Sequence, residues 1–524
     1  MLDNLVIAAY FLVVFGIGIY HSRQQRTTSE YFLAGHSIGW FAVGASLFST
    51  NISSEHFIGL AGSGASGGLA VGCYEWSAAF CLFILGWLFV PYYLKSKVFT
   101  MPEFLERRFN PQCRWYLTIV SILAYIFTKI SVHLFAGAIL MRSVLGWDYL
   151  TTSILLVIAT GIYTITGGLK AVIYTDLFQS FVLITGAVVL TILGLDRVGG
   201  FTGLRAALPP DFFHMIKPAS DPVYPWVGTI FGTLILGIWY WCTDQSIVQK
   251  TLSAKDLENA RKGSFFCAAL KILPVFILVL PGLIAKALYP NVVNGDNAYP
   301  TLVLRLLPKG LVGLMVAALL AALMSAMSSV LNSCSTLITM DVFRKVYPTA
   351  DERRLVFVGR VATGAIVLIS ILWVPLIKYL NSQIYQYLQS VQAYIGAPIT
   401  AVFLIGVLWK RATGRAAITT LITGGLLGAG RFVLDVMHDA FHVDLGALNG
   451  LVAFSFLNYS VIVFIFCVLL MFAISLAEPR RTAAAQEKLT LDWGGGATRV
   501  FDRADLAWTG MVGCFIIGLW FHFR

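Results

Sequence analysis

Runs of about 20 apolar residues, separated by short polar stretches, recur along almost the whole chain of 524 residues. A helix needs roughly 20 such residues to cross the hydrocarbon of a bilayer, so the pattern predicts an all-α polytopic membrane protein. Fourteen spans are expected. The first seven fall at about 3–21, 37–61, 68–95, 114–142, 149–166, 171–195 and 226–249. The others fall at about 265–288, 309–343, 355–379, 384–408, 416–438, 449–477 and 504–523.

One stretch departs from this regularity. Between Phe48 and Trp76 the apolar run is interrupted by Ser49, Thr50, Asn51, Ser53, Ser54, Glu55 and His56. A glycine-rich turn is expected next (Gly59, Gly62, Gly64, Gly67, Gly68), then a span that carries Glu75 near its start. Polar and ionisable groups at membrane depth are costly unless they face a cavity, a partner or an ion. A helix that unwinds there must also satisfy its freed backbone groups, as transporters do by turning them toward a substrate or cation.

The seventh span is irregular too. Its apolar run breaks at Gly237 and continues as IWYWCTDQ, with Thr243, Asp244 and Gln245 at depth. Spans two to six (37–195) and seven to eleven (226–408) pair as five-helix units, and an odd number of helices starts the second unit from the opposite side. Residues 1–36 and 409–524 then flank an inverted repeat within one transmembrane domain, 1–524. Matching interruptions in two halves point to a central site.

Composition fits this picture. The chain is 58% hydrophobic and 12% charged, against roughly 25% charged in soluble domains, and its mean hydropathy is +0.79. A net charge of +11 would suggest nucleic acid in a soluble protein. Here Arg23/Arg26, Lys95 to Arg114, Lys170, Lys250 to Lys262, Arg344 to Arg354, Lys410 to Arg415 and Arg480 to Arg503 all fall on one side of the fourteen-span count. The positive-inside rule then puts both termini outside, and no nucleic-acid partner is expected. The N-terminal run lacks a basic leader and reads as a retained span. Eight cysteines without metal-ligand spacing imply neither a disulfide framework nor a structural metal.

The candidate substrate groups are Asn51, His56, Glu75, Tyr240, Trp241, Lys271 and Gln389. A sugar or polyol presents hydroxyls that donate and accept, so its site mixes acceptors, donors and groups that do both. An aromatic plate such as Tyr240 or Trp241 suits an apolar ring face. Glu75 and Lys271 together keep a site near neutral, which favours a neutral solute over a carboxylate; alternatively the two are helix-packing partners of one another. Ser325, Ser328, Ser329 and Asn332 recur at helical spacing in the ninth span, where hydroxyls facing the unwound carbonyls around Ser49 and Ile52 would cage a hard alkali cation. Serines are equally ordinary packing devices between membrane helices. Asp176, a lone carboxylate near an inner helix end, serves either an ion pathway or the helix dipole.

The stretches NISSEHFIGLAG, CYEW, TMPEFLERRF, GGLKAVIYTD, WYWCTDQSIVQKTLSAK, LKILPVFILVLPG, LNSCSTLITMDV and YLQSVQAYIGAPI resemble the sodium/solute symporters, and among them the sodium/glucose cotransporter branch. The similarity runs from about residue 4 to 410 and continues more weakly beyond. It implies a fourteen-helix, leucine-transporter-like fold with alternating access, and sugar contacts at the seven positions above, with Tyr240 closing the inner side. It also implies a coupling-sodium site at the carbonyls of Ser49, Ile52 and Ala322 and two adjacent hydroxyls. Of that hydroxyl pair only Ser325 is present, because Ala326 takes the second position, to be compensated by water, Ser328 or Ser329. Gly237 stands where relatives place a polar sugar contact.

The expected function is import of a neutral sugar or polyol, glucose-, galactose- or inositol-like, coupled to sodium, with no organic cofactor. The carboxylate-type symporter of the same superfamily is the alternative if Lys271 is free of Glu75, and an uncoupled uniporter or sensor if Ala326 disables the ion site. No P-loop, HExxH or Ser/His/Asp set is present to support an enzyme. Short outer loops favour a plasma membrane of bacterial inner-membrane type.

Overall fold

The structure is a computed structural model that describes residues 2–22, 27–291, 295–308, 310–377, 384–439, 441–479, 489–491 and 502–524. The expected basic clusters at Arg23/Arg26 and at Arg480 to Arg499 lie outside these residues. Among the described residues only helices and two isolated bridges occur. This is what a lipid solvent permits, since each helix satisfies its own backbone.

The principal helices are α1 (Leu2–Ser22), α2 (Trp40–Asn51), α3 (Cys73–Ile84), α4 (Ser131–Leu145) and α5 (Tyr149–Val198). They continue as α6 (Thr233–Ile238), α7 (Gln245–Leu252), α8 (Leu257–Leu270), α9 (Leu311–Thr336) and α10 (Glu352–Ile377). The last are α11 (Ile384–Leu408), α12 (Gly414–Asp439), α13 (Phe456–Ala477) and α14 (Arg503–His522). Helix α9 is the axis of the core. Its residues from Met315 to Thr336 are buried without exception, and α1, α2, α4, α5 and α10 pack around it. Single-sided helices such as α13 keep an apolar face toward lipid, with Ile462, Ile465 and Leu469 exposed.

Eleven helices among the described residues are long and apolar enough to cross a membrane, against the fourteen expected. The shortfall has a physical source in three places. The expected fifth and sixth spans are both present in α5, as two helices that meet at a turn at Gly168 (φ 53, ψ −160), a backbone region open to glycine and strained for other residues. At 1.5 Å per residue a straight helix would separate residues 163 and 179 by about 24 Å. Here the chain folds back, so that the Tyr163 hydroxyl reaches the Met324 carbonyl (2.9 Å) while Gln179 donates to the Tyr10 hydroxyl (2.8 Å), itself directed at Met324 Sδ. The expected second and seventh spans are interrupted helices, too short to be counted whole.

These interruptions differ in detail from the sequence expectation. Helix α2 stops at Asn51, Ile52 is extended (φ −80, ψ 109), and helix resumes at Ser54. The polar residues on either side stay helical. The glycines that follow do not form a turn until Gly67–Gly68, because residues 61–67 are helical. Gly64 there lies so close to the Val279 carbonyl that a Cβ would sit 2.6 Å from it, so these glycines serve close helix contact. In the seventh span the helix passes through Gly237 and breaks seven residues later, at Asp244 (φ −73, ψ 129). Asp244 caps α7 by accepting from the Ser246 N–H (2.9 Å) and is held by Tyr125 (2.9 Å) and Lys129 (2.9 Å). A carboxylate with three partners fixes the break more firmly than a glycine does.

Candidate functional site

The two breaks and three further helices converge on one partly open void. Asn51 reaches it from the last turn of α2, and His56 from the turn after the break. Glu75 sits in the first turn of α3, where a carboxylate faces the positive end of the helix dipole. Tyr240 and Trp241 come from the wide turn between α6 and Asp244, Lys271 from the C-cap of α8, and Gln389 from α11. All seven predicted substrate residues line this void.

At the wall formed by Glu75 and Lys271 the charges cancel. The Lys271 ammonium donates to Glu75 Oε2 and to Asn51 Oδ1 (2.5 Å), and lies 5.6 Å from the Trp241 ring centroid. Both partners of this ion pair are buried, at 1% and 2% side-chain exposure, and no unpaired cation is left at that wall for a carboxylate solute. His56 Nε2 faces Glu75 Oε1 at 3.6 Å, with the Tyr385 ring edge-on to the imidazole. The lining thus combines carboxylate, amide, imidazole and ammonium with aromatic faces, a set that can bind several hydroxyls of one solute.

Among the lining residues that the sequence analysis did not single out are five polar ones: Glu55, Tyr74, Thr233, Tyr385 and Gln392. Tyr385, Gln389 and Gln392 lie at i, i+4 and i+7 on α11, so the face that carries Gln389 would have revealed the others. Lys129 and His133 line a second, smaller void that shares Glu55, Tyr240 and Gln392 with the first. They are ionisable residues four apart within an apolar span, a signal of function by that fact alone. Gly237 also lines the main void, but a Cβ there would meet Cys81 Sγ at 2.6 Å. In place of the polar contact that the resemblance implied at this position, α6 here approaches α3 closely.

Of the residues expected around the coupling ion, Ser49 and Ser325 meet. In a continuous helix the N–H groups of Ser53 and His56 would bond the carbonyls of Ser49 and Ile52. Instead Ser53 N–H turns to His56 Nδ1 (3.4 Å) and His56 N–H to the Ser53 carbonyl (3.0 Å). The Ser49 and Ile52 carbonyls are thereby released from those bonds. Ser49 Oγ donates to Ser325 Oγ (2.9 Å) across the α2–α9 contact, and Ala322 lies one turn back on α9. An all-oxygen set of this kind suits a hard alkali cation.

Asp176 is neither lone nor solvated. It is fully buried and accepts from Ser325 Oγ (2.6 Å) and Ser46 Oγ (2.6 Å), while the Lys250 ammonium from α7 donates to it and to Ser46 Oγ (2.8 Å) and Thr50 Oγ1. Its charge is met by a lysine that the sequence reading had placed in a basic inner loop. Because Ser325 gives its proton to Asp176 and accepts from Ser49, one lone pair is left for a cation. Ser328 and Ser329 both donate back to the Ser325 carbonyl (3.0 and 2.9 Å).

Comparison with known proteins follows the same lines. The sequence model of the Sodium:solute symporter family matches residues 31–424. This chain belongs to that family. Sodium/glucose cotransporter 4 of Mus musculus is 44% identical over 84% of this chain and 70% of its own length. Sodium/glucose cotransporter 1 of Oryctolagus cuniculus is 40% identical over 83% of this chain and 72% of its own. Among solved structures, a Na+-coupled sialic acid symporter in a substrate-bound outward-open state superimposes with a TM-score of 0.78 at 22% identity, over 92% of this symporter and 99% of that chain. A nucleobase-cation-symport-1 family transporter gives 0.57 at 16% identity, over 88% and 98%. The fold of this family member is therefore the leucine-transporter-like one, and its relatives are membrane transporters, not enzymes.

Proposed function

We propose that this symporter imports a neutral sugar or polyol together with sodium by alternating access. The observation that carries the reading is the void whose charged wall is the closed Glu75–Lys271 pair, with Asn51, His56, Gln389, Tyr240 and Trp241 around it. The names of the relatives, sodium/glucose cotransporters, supply the solute class and the ion. Engagement of Lys271 by both Glu75 and Asn51 counts against the carboxylate-type alternative. An uncoupled uniporter or sensor draws support only from Ala326.

In this reading sodium sits on the carbonyls of Ser49, Ile52 and Ala322 and on Ser325 Oγ. It bridges α2 to α9 and holds the broken helix in its outward-open arrangement. Asp176 orients Ser325, and we assign it to that role in place of a second ion site. Solute then displaces Lys271 and Glu75 from part of their mutual bonding, Gln389 and His56 take further hydroxyls, and Tyr240 covers the side toward the smaller void. Coupling arises because sodium and solute each bind one state better than the other; equal affinity would shift nothing. Units 37–195 and 226–408 act as the inverted repeats whose rocking exposes the site alternately. Positive-inside placement puts both termini outside, in a membrane of bacterial inner-membrane type.

The test is uptake of labelled glucose, galactose and myo-inositol into sodium-loaded-gradient proteoliposomes by wild type, Glu75→Ala and Gln389→Ala. Both variants should lose uptake of the solute that wild type carries. Unchanged kinetics in either would mean that the solute binds elsewhere.

A further inference from the structure

The buried charges around the two voids do not balance. Three carboxylates each have an ammonium partner: Glu75 with Lys271, Asp244 with Lys129 (2.9 Å) and Asp176 with Lys250. The fourth, Glu55, has none among the described residues. It lines both voids at 4% side-chain exposure, and its oxygens face two imidazoles, His133 Nδ1 at 2.8 Å and His56 Nδ1 at 3.6 Å. A buried carboxylate without a counter-charge is strongly unfavourable, and a proton held on one of these groups supplies the missing charge.

The hydrogen bonds indicate where it is. His56 Nδ1 accepts from the Ser53 N–H (3.4 Å), which leaves its proton on Nε2, facing Glu75. His56 is then a neutral imidazole. His133 has no such donor at Nδ1: the contacts there are Glu55 Oε2 and the Ser53 hydroxyl at 3.2 Å, which can accept from it. The other titratable groups facing this cluster are the phenols of Tyr240, Tyr385 and Tyr74 and the paired Lys129 and Lys271.

We propose that His133 and Glu55 together form a proton-binding site, and that this proton is a second bound cation of the transporter beside sodium. Resting on the sugar reading above, the consequence for transport is a pH-dependent solute affinity. Loss of the proton leaves one net negative charge on the wall shared by both voids. Closing the site over a neutral solute must then dehydrate that charge, so binding weakens as pH rises. Below the transition the wall is neutral and binding is full. Nothing at Asn51, Gln389 or the Glu75–Lys271 pair predicts such a dependence.

Two measurements on the full-length protein test this, with His133→Lys as the deciding variant because it replaces the proton by a permanent ammonium. The first is thermal unfolding without solute from about pH 5.5 to 9, a range that brackets ordinary imidazole titration. Wild type should lose stability with rising pH relative to His133→Lys, and Glu55→Gln should track the lysine variant's flat profile. The second is binding of labelled glucose, galactose or myo-inositol over the same range at saturating sodium. Wild-type affinity should fall about tenfold or more while His133→Lys binds equally at both ends. Parallel wild-type and His133→Lys stability profiles, or a wild-type affinity slope that persists in His133→Lys, would overturn the proposal. Failure of all three solutes to bind at any pH would count against the sugar reading alone, since the solute-free profiles decide the proton.

Discussion

The pairing of Lys271 with Glu75 makes the strongest demand on this structure. Replacing Lys271 by Met removes an ammonium that is 1% exposed and leaves Glu75, 2% exposed, facing an apolar side chain. Breaking one half of a buried pair costs about 3–5 kcal/mol, whereas replacing both halves is close to neutral or even stabilising. Lys271→Met should therefore unfold well below wild type in detergent, and Glu75→Gln combined with Lys271→Met should recover most of the loss. A double-mutant cycle should show a coupling of about 3 kcal/mol, at the upper end for residues in contact. Solute binding should behave differently. Hydrogen bonds to charged groups contribute about 1.5–3 kcal/mol each, so the stable double variant should still bind solute roughly 10- to 150-fold more weakly. Thermal unfolding and equilibrium binding of labelled solute separate the two effects. A single variant as stable as wild type, or a double variant no more stable than the single, would refute the buried pair.

Other consequences can be checked with single changes. Ala326→Ser places a second hydroxyl beside Ser325 and should lower the sodium concentration for half-maximal uptake about tenfold, a ligand contribution of about 1.4 kcal/mol; an unchanged sodium curve would remove the ion from this part of α9. Gly237→Ser drives a Cβ to within 2.6 Å of Cys81 Sγ and should destabilise by about 1–3 kcal/mol through overpacking, with relief from Cys81→Ala; tolerance without the second change would contradict the close α6–α3 approach. At the inner rim Glu106 pairs with Arg114 (2.5 Å) and Lys345. Burial raises the Glu106 carboxyl, but Lys345 and Arg114 outweigh it and hold it below the ordinary 4.5. Its pairing is thus complete above that value and lost as pH falls through the depressed one, so Glu106→Gln should flatten the acid limb of the stability profile.

The sequence made the membrane class and the residues that line the main void legible because both are written in where polarity occurs. Asn51, His56, Glu75 and Lys271 stand out only because apolar residues surround them, and intramembrane charge is seldom incidental. Long-range pairing was much less readable. Nothing local tells Lys250 from its neighbours in a basic loop, yet it crosses 74 positions to meet Asp176, the contact on which the proposed positioning role of Asp176 rests. The seventh-span break was misplaced for a related reason. Glycine looked like the weak point, while the actual break is fixed at Asp244 by Tyr125 and Lys129, residues far away in sequence. His133 was hidden among small and apolar neighbours, and its importance follows from Glu55, which it touches only in the folded chain. Spans five and six were legible as two, and the structure separates them at Gly168.

The central claim is coupling of solute movement to sodium through the broken α2. The most direct measurement is accumulation of labelled solute by purified protein in proteoliposomes, with equal solute on both sides and an inward sodium gradient imposed. The account predicts that the internal concentration rises above the external one with sodium outside. The rise should vanish when potassium replaces sodium and should be much reduced in Ser325→Ala. Equilibration to equal concentrations regardless of sodium would contradict it.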